Sequence, residues 1–388
     1  MFSSRFGWDL RPNRLARALA ARRAAGAAIL DLTESNPTRA ALLYPPEIVS
    51  AFQDERLLHY DPAPAGMREA REAVAGYYRA RGCPLEPGGI LLTASTSEAY
   101  GYLFKLLCDP GDHVLVPRPS YPLFEFLAAM ESVEVRYYPL SYHAGWSIDL
   151  EALGRALTAR TRAVVIVNPN NPTGSYLKRA ELDHLSQLCA ERGIALISDE
   201  VFADYWFAPD PQRAGTVAES SPCLVFSMSG LSKVAGLPQM KLGWIVVSGR
   251  EEERAAALER LEWIADTYLS VATPVQCAAA RLLEAGQAVQ HQIRQRTRQN
   301  LDAAREALAG SSATILDVEG GWYVSIRVPQ IRSEEEWALE LLNRCDVYVQ
   351  PGFFYDFESE AFLVASLLTE PGTFREAAGR MRRLLDCA

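Results

Sequence analysis

Residues 163–174, Ala163-Val164-Val165-Ile166-Val167-Asn168-Pro169-Asn170-Asn171-Pro172-Thr173-Gly174, run from five unbroken apolar residues straight into a turn rich in Asn and Pro. A short continuous apolar run is how a strand covered on both faces reads. In an open α/β sheet, ligands gather just past the carboxyl ends of such strands. A rigid turn would account for the prolines and the glycine. Three side-chain amides at the ligand edge of a sheet point beyond a turn, to a binding loop.

Outward from this stretch the alternation repeats. Helices are expected over 67–81, 97–108, 122–131 and 149–157, with strands at 90–93, 113–116 and 133–138 between them. After the turn come helix 179–192 and strands 194–198, 223–227 and 242–248. Strands alternating with helices specify a mostly parallel sheet flanked by helices. Past residue 250 the pattern changes to two helical stretches (250–284 and 286–309), strands near 313–317 and 322–327, helix 333–343, strands 346–349 and 362–367, and a final helix. A helix over 13–25 and a short strand at 29–32 precede everything. The expected fold is therefore α/β. A large domain spans 46–285, and a smaller α+β domain combines 1–45 with 286–388. A chain of 388 residues has the length for two domains.

Composition narrows the function. The chain is 49% hydrophobic and 22% charged, as ordinary globular proteins are, and its net charge of −9 disfavours nucleic acid or an anionic membrane as partner. No run of eighteen apolar residues and no signal-peptide-like start is visible, so a cytoplasmic setting is expected. The seven cysteines contain no CxxC pair and are odd in number, which fits neither a disulfide framework nor a metal site. Of 39 basic residues only four are lysines: Lys105, Lys178, Lys233 and Lys241.

Four places carry chemistry. Ser95-Thr96-Ser97 sits between a strand and a helix, where free N–H groups and the helix dipole suit a phosphate; a plain N-cap is the simpler reading. The Asn-rich turn is the second. Ser198-Asp199-Glu200 closes a buried strand at the same edge and offers a carboxylate. Ser229-Gly230-Leu231-Ser232-Lys233, with Lys241 eight residues on, concentrates half of the lysines in one stretch. A lysine buried among small residues has a lowered pKa and becomes a nucleophile able to form a Schiff base. A phosphate cradle, amides, an acid and a lysine at one sheet edge match what pyridoxal 5'-phosphate requires.

With these motifs in order (NPNNPTG from Asn168, SDE from Ser198, SGLSK from Ser229), and with HYDPAPAGMREA from His59, DPGDHVLVPRPSYP from Asp109 and GGWY from Gly320, the chain resembles a fold-type I, class I/II aminotransferase over nearly its whole length. The resemblance implies the roles. Lys233 would be the Schiff-base residue and proton carrier, Asp199 the partner of the pyridine nitrogen, and Tyr121 the ring that stacks on the cofactor. Asn171 would donate to the 3' oxygen. Ser95, Thr96, Ser97, Ser229 and Lys241 would hold the phosphate, helped by Tyr60 from a neighbouring subunit. That implies a homodimer with shared active sites, acting on a small amino donor and an oxo acceptor. Trp8 and its neighbours would form an arm near the entrance. A lyase, decarboxylase or oxidase could run on the same residues, and a non-catalytic cofactor-binding protein is a further alternative.

Three departures from the family pattern stand out. Phe202 replaces the usual Tyr that donates to the 3' oxygen, with Tyr205 or Tyr100 as possible substitutes. Lys241 replaces a phosphate-binding Arg, giving a point charge for a two-pronged contact. Val364, two residues before Ser366, stands where an Arg usually grips the substrate α-carboxylate. Ser35 also replaces a Gly of the N-terminal substrate loop. Two explanations follow: Arg39 or Arg327 has taken over the carboxylate, or the substrate carries none in the usual place.

Overall fold

The computed structural model describes residues 2–219, 221–269 and 271–387. Its large sheet has eight strands in the order Ile90–Thr93, Gly243–Ser248, Val225–Gly230, Ala195–Asp199, Thr161–Val167, His113–Arg118, Glu134–Tyr142 and Trp146–Ile148. The five strands from 225–230 to 134–142 run parallel, and the pairs at the two edges are antiparallel. Val114, Val164, Leu196, Phe226 and Ile245 are fully buried, as a sheet covered by helices on both faces demands. Helix Thr96–Leu107 covers one face and helix Arg179–Arg192 the other, each set in its own apolar cluster. The register Val167↔Asp199↔Met228 brings the Asn-rich turn, the acid and the lysine segment to one carboxyl edge.

The smaller unit is a four-stranded antiparallel sheet, Thr314–Ile315, Tyr323–Arg327, Phe362–Ser366 and Gln350–Pro351. Leu15, Leu19 and Leu32 from the first residues share its core with Trp337, Leu363 and Phe374. A short parallel ladder, Leu30–Asp31 with Val347–Tyr348, ties the chain start to the last third.

One expectation is corrected. The sequence suggests a break between the two long helical stretches at 285, but the first ends at Tyr268 and the second begins at Thr273. Helix Glu251–Tyr268 is followed by one continuous helix, Thr273–Leu308. The expected domain limit at 285 falls inside that helix, whose residues 275–293 pack in the cluster beneath Lys233 and whose Leu301, Ala304 and Leu308 pack in the small-domain core. The strands Trp146–Ile148 and Gln350–Pro351 are not among those the sequence suggests; each is too short to show a period.

Candidate active site

Asp199 ends its strand fully inside the protein. The Val201 N–H donates to its Oδ1 (3.2 Å) and the Tyr100 hydroxyl to its Oδ2 (3.3 Å). Burial nevertheless pushes its carboxyl up to about 6, against these donors and the nearby Lys233. Lys233 lies in the single turn Leu231–Val234. Its Nζ sits 4.7 Å from the Trp322 ring centre and 5.6 Å from that of Phe202. Burial brings its amine down to about 8, and Asp199 opposes the shift. An aromatic wall, a buried amine and a buried acid thus face one another.

The phosphate-type elements converge beside them. Ser95 caps helix Thr96–Leu107, its Oγ accepting from the Glu98 N–H (3.1 Å), while Glu98 accepts from the Ala94 N–H (2.6 Å). This reciprocal cap fixes the helix end and leaves Thr96 and Ser97 at its mouth. Glycines let the pieces close: a Cβ on Gly243 would stand 3.1 Å from Thr93 Oγ1 and 3.2 Å from Ser229 O. Ser229 Oγ and Asn171 Oδ1 are buried without a hydrogen-bond partner. Lys241 sits exposed at a left-handed position (φ 53°).

Of the remaining candidates, Tyr121 is partly exposed, and burial with the Asp199 charge raises its phenol to about 12. Phe202 is buried and packs on Trp322, with ring centres 5.2 Å apart. Tyr60 is 65% exposed. Ser35 stands against the Tyr323 hydroxyl. Arg39 is exposed on the turn Pro37–Arg39, which packs at Gly236, and makes no ion pair among the described residues. Arg327 is exposed at the end of its strand, opposite Phe362 and four residues beyond Tyr323; the structure does not bring it to Lys233. Val364 is buried, with Ser325 and Gln350 beside it in register. At the other end of the chain the Trp8 ring rests 4.7 Å from that of Phe126, on the helix that follows Tyr121.

Sequence reasoning missed Trp322, Tyr323 and Gln350 as parts of the site. The signal was present in Tyr323-Val324-Ser325-Ile326-Arg327, where polar side chains at every second position mark a face turned away from the apolar core.

A phosphate, a pyridine nitrogen, a phenolic oxygen and an aldehyde each have a counterpart among these residues. The unpartnered Ser229 and Asn171 oxygens show that the counterparts are set for a ligand. The fold and site define a pyridoxal-phosphate enzyme of fold type I. The chain belongs to the family described as aminotransferase class I and II, whose model matches residues 27–379. It is 26% identical to the tyrosine aminotransferase of Bos taurus, over 80% of this chain and 72% of that protein. It is 29% identical to the aspartate/prephenate aminotransferase of Thermus thermophilus, over 84% and 83%. The S-alkyl-thiohydroximate lyase SUR1 of Arabidopsis thaliana is 33% identical over 61% of this chain and 52% of that protein. A solved structure of Thermus thermophilus aspartate aminotransferase superposes with a TM-score of 0.86 at 25% identity, covering 99% of this chain and all of that one. The protein is an aminotransferase and its cofactor is pyridoxal 5'-phosphate. Among the described residues no helix is long and apolar enough to cross a membrane, and no cluster of metal-ligating side chains occurs.

Proposed function

We propose that the protein moves an amino group between a small amino donor and an oxo acceptor, with Lys233 as the Schiff-base residue and with an atypical means of recognising the donor. The carrying observation is the pair of half-buried Lys233 and buried Asp199 at the carboxyl edge of the sheet, with oppositely displaced pKa values. Bound pyridoxal phosphate supplies an aldehyde that captures amines and a ring that withdraws electrons from the carbon bearing them.

The chain's own residues do the rest. An amine brought down to about 8 has an unprotonated fraction at neutral pH, so Lys233 Nζ would hold the cofactor through its aldehyde and would carry a proton to and from the donor. Asp199, kept charged by Val201 N–H and Tyr100, would hold a proton on the ring nitrogen. Asn171 would donate to the phenolic oxygen, and Ser95, Thr96, Ser97, Ser229 and Lys241 would bind the phosphate. Tyr121 and Trp322 would exclude water from the two sides. Tyr60, turned outward, would serve the partner's phosphate in a homodimer with shared sites.

Borohydride reduction of the loaded protein, followed by peptide mapping, tests the lysine: the cofactor label belongs on Lys233 and is absent from Lys233→Ala. Label on another lysine rejects the assignment. A lyase is the second reading, favoured by the 33% identity to a plant lyase. Stoichiometric ammonia release from the donor, without accumulation of the pyridoxamine form, would mark it.

A further inference from the structure

The wall of the site that faces away from the large sheet is the outer face of the small antiparallel sheet. Alternation sorts that sheet cleanly. Val324, Ile326, Leu363 and Ala365 point into the small-domain core. Tyr323, Ser325, Val364 and Ser366 therefore share the opposite face, which ends at the exposed Arg327, and Ser325, Val364 and Gln350 form one row across three strands. This face leads to Lys233 through aromatic contacts. The Tyr323 ring lies 6.2 Å from Phe202, whose ring lies 5.6 Å from Lys233 Nζ, and Tyr355 lies 6.3 Å from Tyr323 and donates its hydroxyl to Gln350 Oε1.

The row is uncharged. Ser325 is 2% exposed and its Oγ has no hydrogen-bond partner; Val364 is 1% exposed. From the N-terminal loop it is the acidic Glu34, not a cation, that acts on Tyr323. Arg118 is turned onto the Tyr137 ring (4.1 Å) beside Asp356, and Arg327 lies exposed two residues beyond Ser325. The row itself offers no cation to a carboxylate moved from water onto Val364, a heavy penalty. A hydroxyl, amide or carbonyl bears no such penalty and satisfies the orphaned Ser325 oxygen.

We propose that the amino donor carries an uncharged hydrogen-bonding group at the position next to its amine, lodged against Ser325, Gln350 and Val364, and that Val364 sets this preference. The inference rests on the aminotransferase reading above.

The test follows the visible band of the loaded enzyme as matched donors are added: L-tyrosine, L-tyrosinamide and L-tyrosinol, and the same trio built on L-alanine. The neutral members should convert the band with at least tenfold higher kcat/KM than the parent amino acids. Ser325→Ala should shrink that ratio several-fold, mainly through KM. Val364→Arg should invert it. A second readout avoids turnover: calorimetry with unreactive 3-(4-hydroxyphenyl)propionamide and the corresponding propionate should show tighter binding of the amide. Conversion by the amino acids at parity or better overturns the proposal, whether or not Arg39→Ala or Arg327→Ala then abolishes it. If no donor of either kind forms the pyridoxamine band, the transamination reading itself fails and the proposal with it. Should Val364→Arg not fold, the wild-type panel and Ser325→Ala still decide.

Discussion

The hydroxyl of Tyr205 donates to the backbone carbonyl of Lys233 itself, so it is not available to the cofactor. Tyr100, the other candidate to replace the donor lost at Phe202, gives its hydroxyl to Asp199. Neither tyrosine compensates for Phe202, which instead packs its ring on Trp322. Fewer donors to a phenolic oxygen disfavour its charged form, and the adjoining nitrogen then holds its proton more tightly. Phe202→Tyr should therefore lower the pH midpoint of the loaded enzyme's visible spectrum by about one unit. An unchanged midpoint in a titration of both proteins would show that another group already serves that oxygen.

The unloaded protein should show the strain of burying an amine. Lys233 titrates near 8 in the folded chain and near its ordinary value, about 10.5, when unfolded. Below pH 8 both states hold the proton and the folded state bears the full cost of the buried charge. Between pH 8 and 10.5 the unfolded chain binds more protons, so stability rises with pH. The shift corresponds to roughly 3 kcal/mol across that window. Chemical denaturation of the unloaded protein at pH 7.5 and 10 should show this rise relative to Lys233→Met, which lacks the group. Parallel pH dependence in the two proteins would contradict the burial of a titrating amine.

Asp199 gives the opposite sign and a second check. Its folded pKa, about 6, lies above the ordinary carboxylate value, so its contribution to stability is lost as pH rises from about 4 through 6. Tyr100→Phe removes a hydrogen bond to its charged form. The carboxylate should then titrate higher still, and retention of the cofactor should weaken several-fold, more at pH 6 than at pH 8. Dialysis of the loaded variant at the two pH values measures this.

Much of this site was legible because its chemistry is carried by short segments at strand ends. The run Ala163–Val167 is apolar enough to announce a doubly covered strand, and the turn, the acid and the lysine segment each follow such a run. Helix ends fell within a residue or two where a cap was readable, as at Ser95 and Ser333. What stayed hidden depends on tertiary pairing. Gln350–Pro351 becomes a strand through its contact with Val364, and the neutral row exists once three strands align in register. Trp322 and Tyr323 sat in the GGWY segment without an assigned role; the Gly174–Gly320 hydrogen bond and the approach of Lys233 to the Trp322 ring come from tertiary packing.

Tyr60 offers a test of assembly. It is 65% exposed on a segment shared with Leu58, itself 80% exposed, as the proposed shared site requires of a residue that serves a partner. If a second copy covers it and receives its hydroxyl at the phosphate, sedimentation should give a dimer. Tyr60→Phe should then raise the concentration of cofactor needed for half-saturation several-fold without dissociating the dimer. A monomer that retains full cofactor affinity would refute the shared site.

Gly286, next to the helix break that the sequence suggested at 285, is where the structure shows a close contact. It lies inside the helix Thr273–Leu308, and a Cβ there would stand 2.9 Å from Ala235 Cα and closer still to the Ala235 methyl. Ala235 follows Lys233 by two residues, so this glycine lets the lysine turn settle directly onto the long helix. In an open helix, Gly→Ala stabilises by about 1 kcal/mol. Here the added methyl meets backbone that cannot move aside, and overpacking costs typically 1–3 kcal/mol. Gly286→Ala should therefore be net destabilising, by roughly 1–2 kcal/mol, and should displace Lys233 enough to shift the visible band or slow its conversion. Equilibrium unfolding and the absorbance spectrum of the loaded variant measure the two effects together. A stabilised protein with an unaltered spectrum would mean that the glycine serves the helix alone and that the lysine turn does not depend on it.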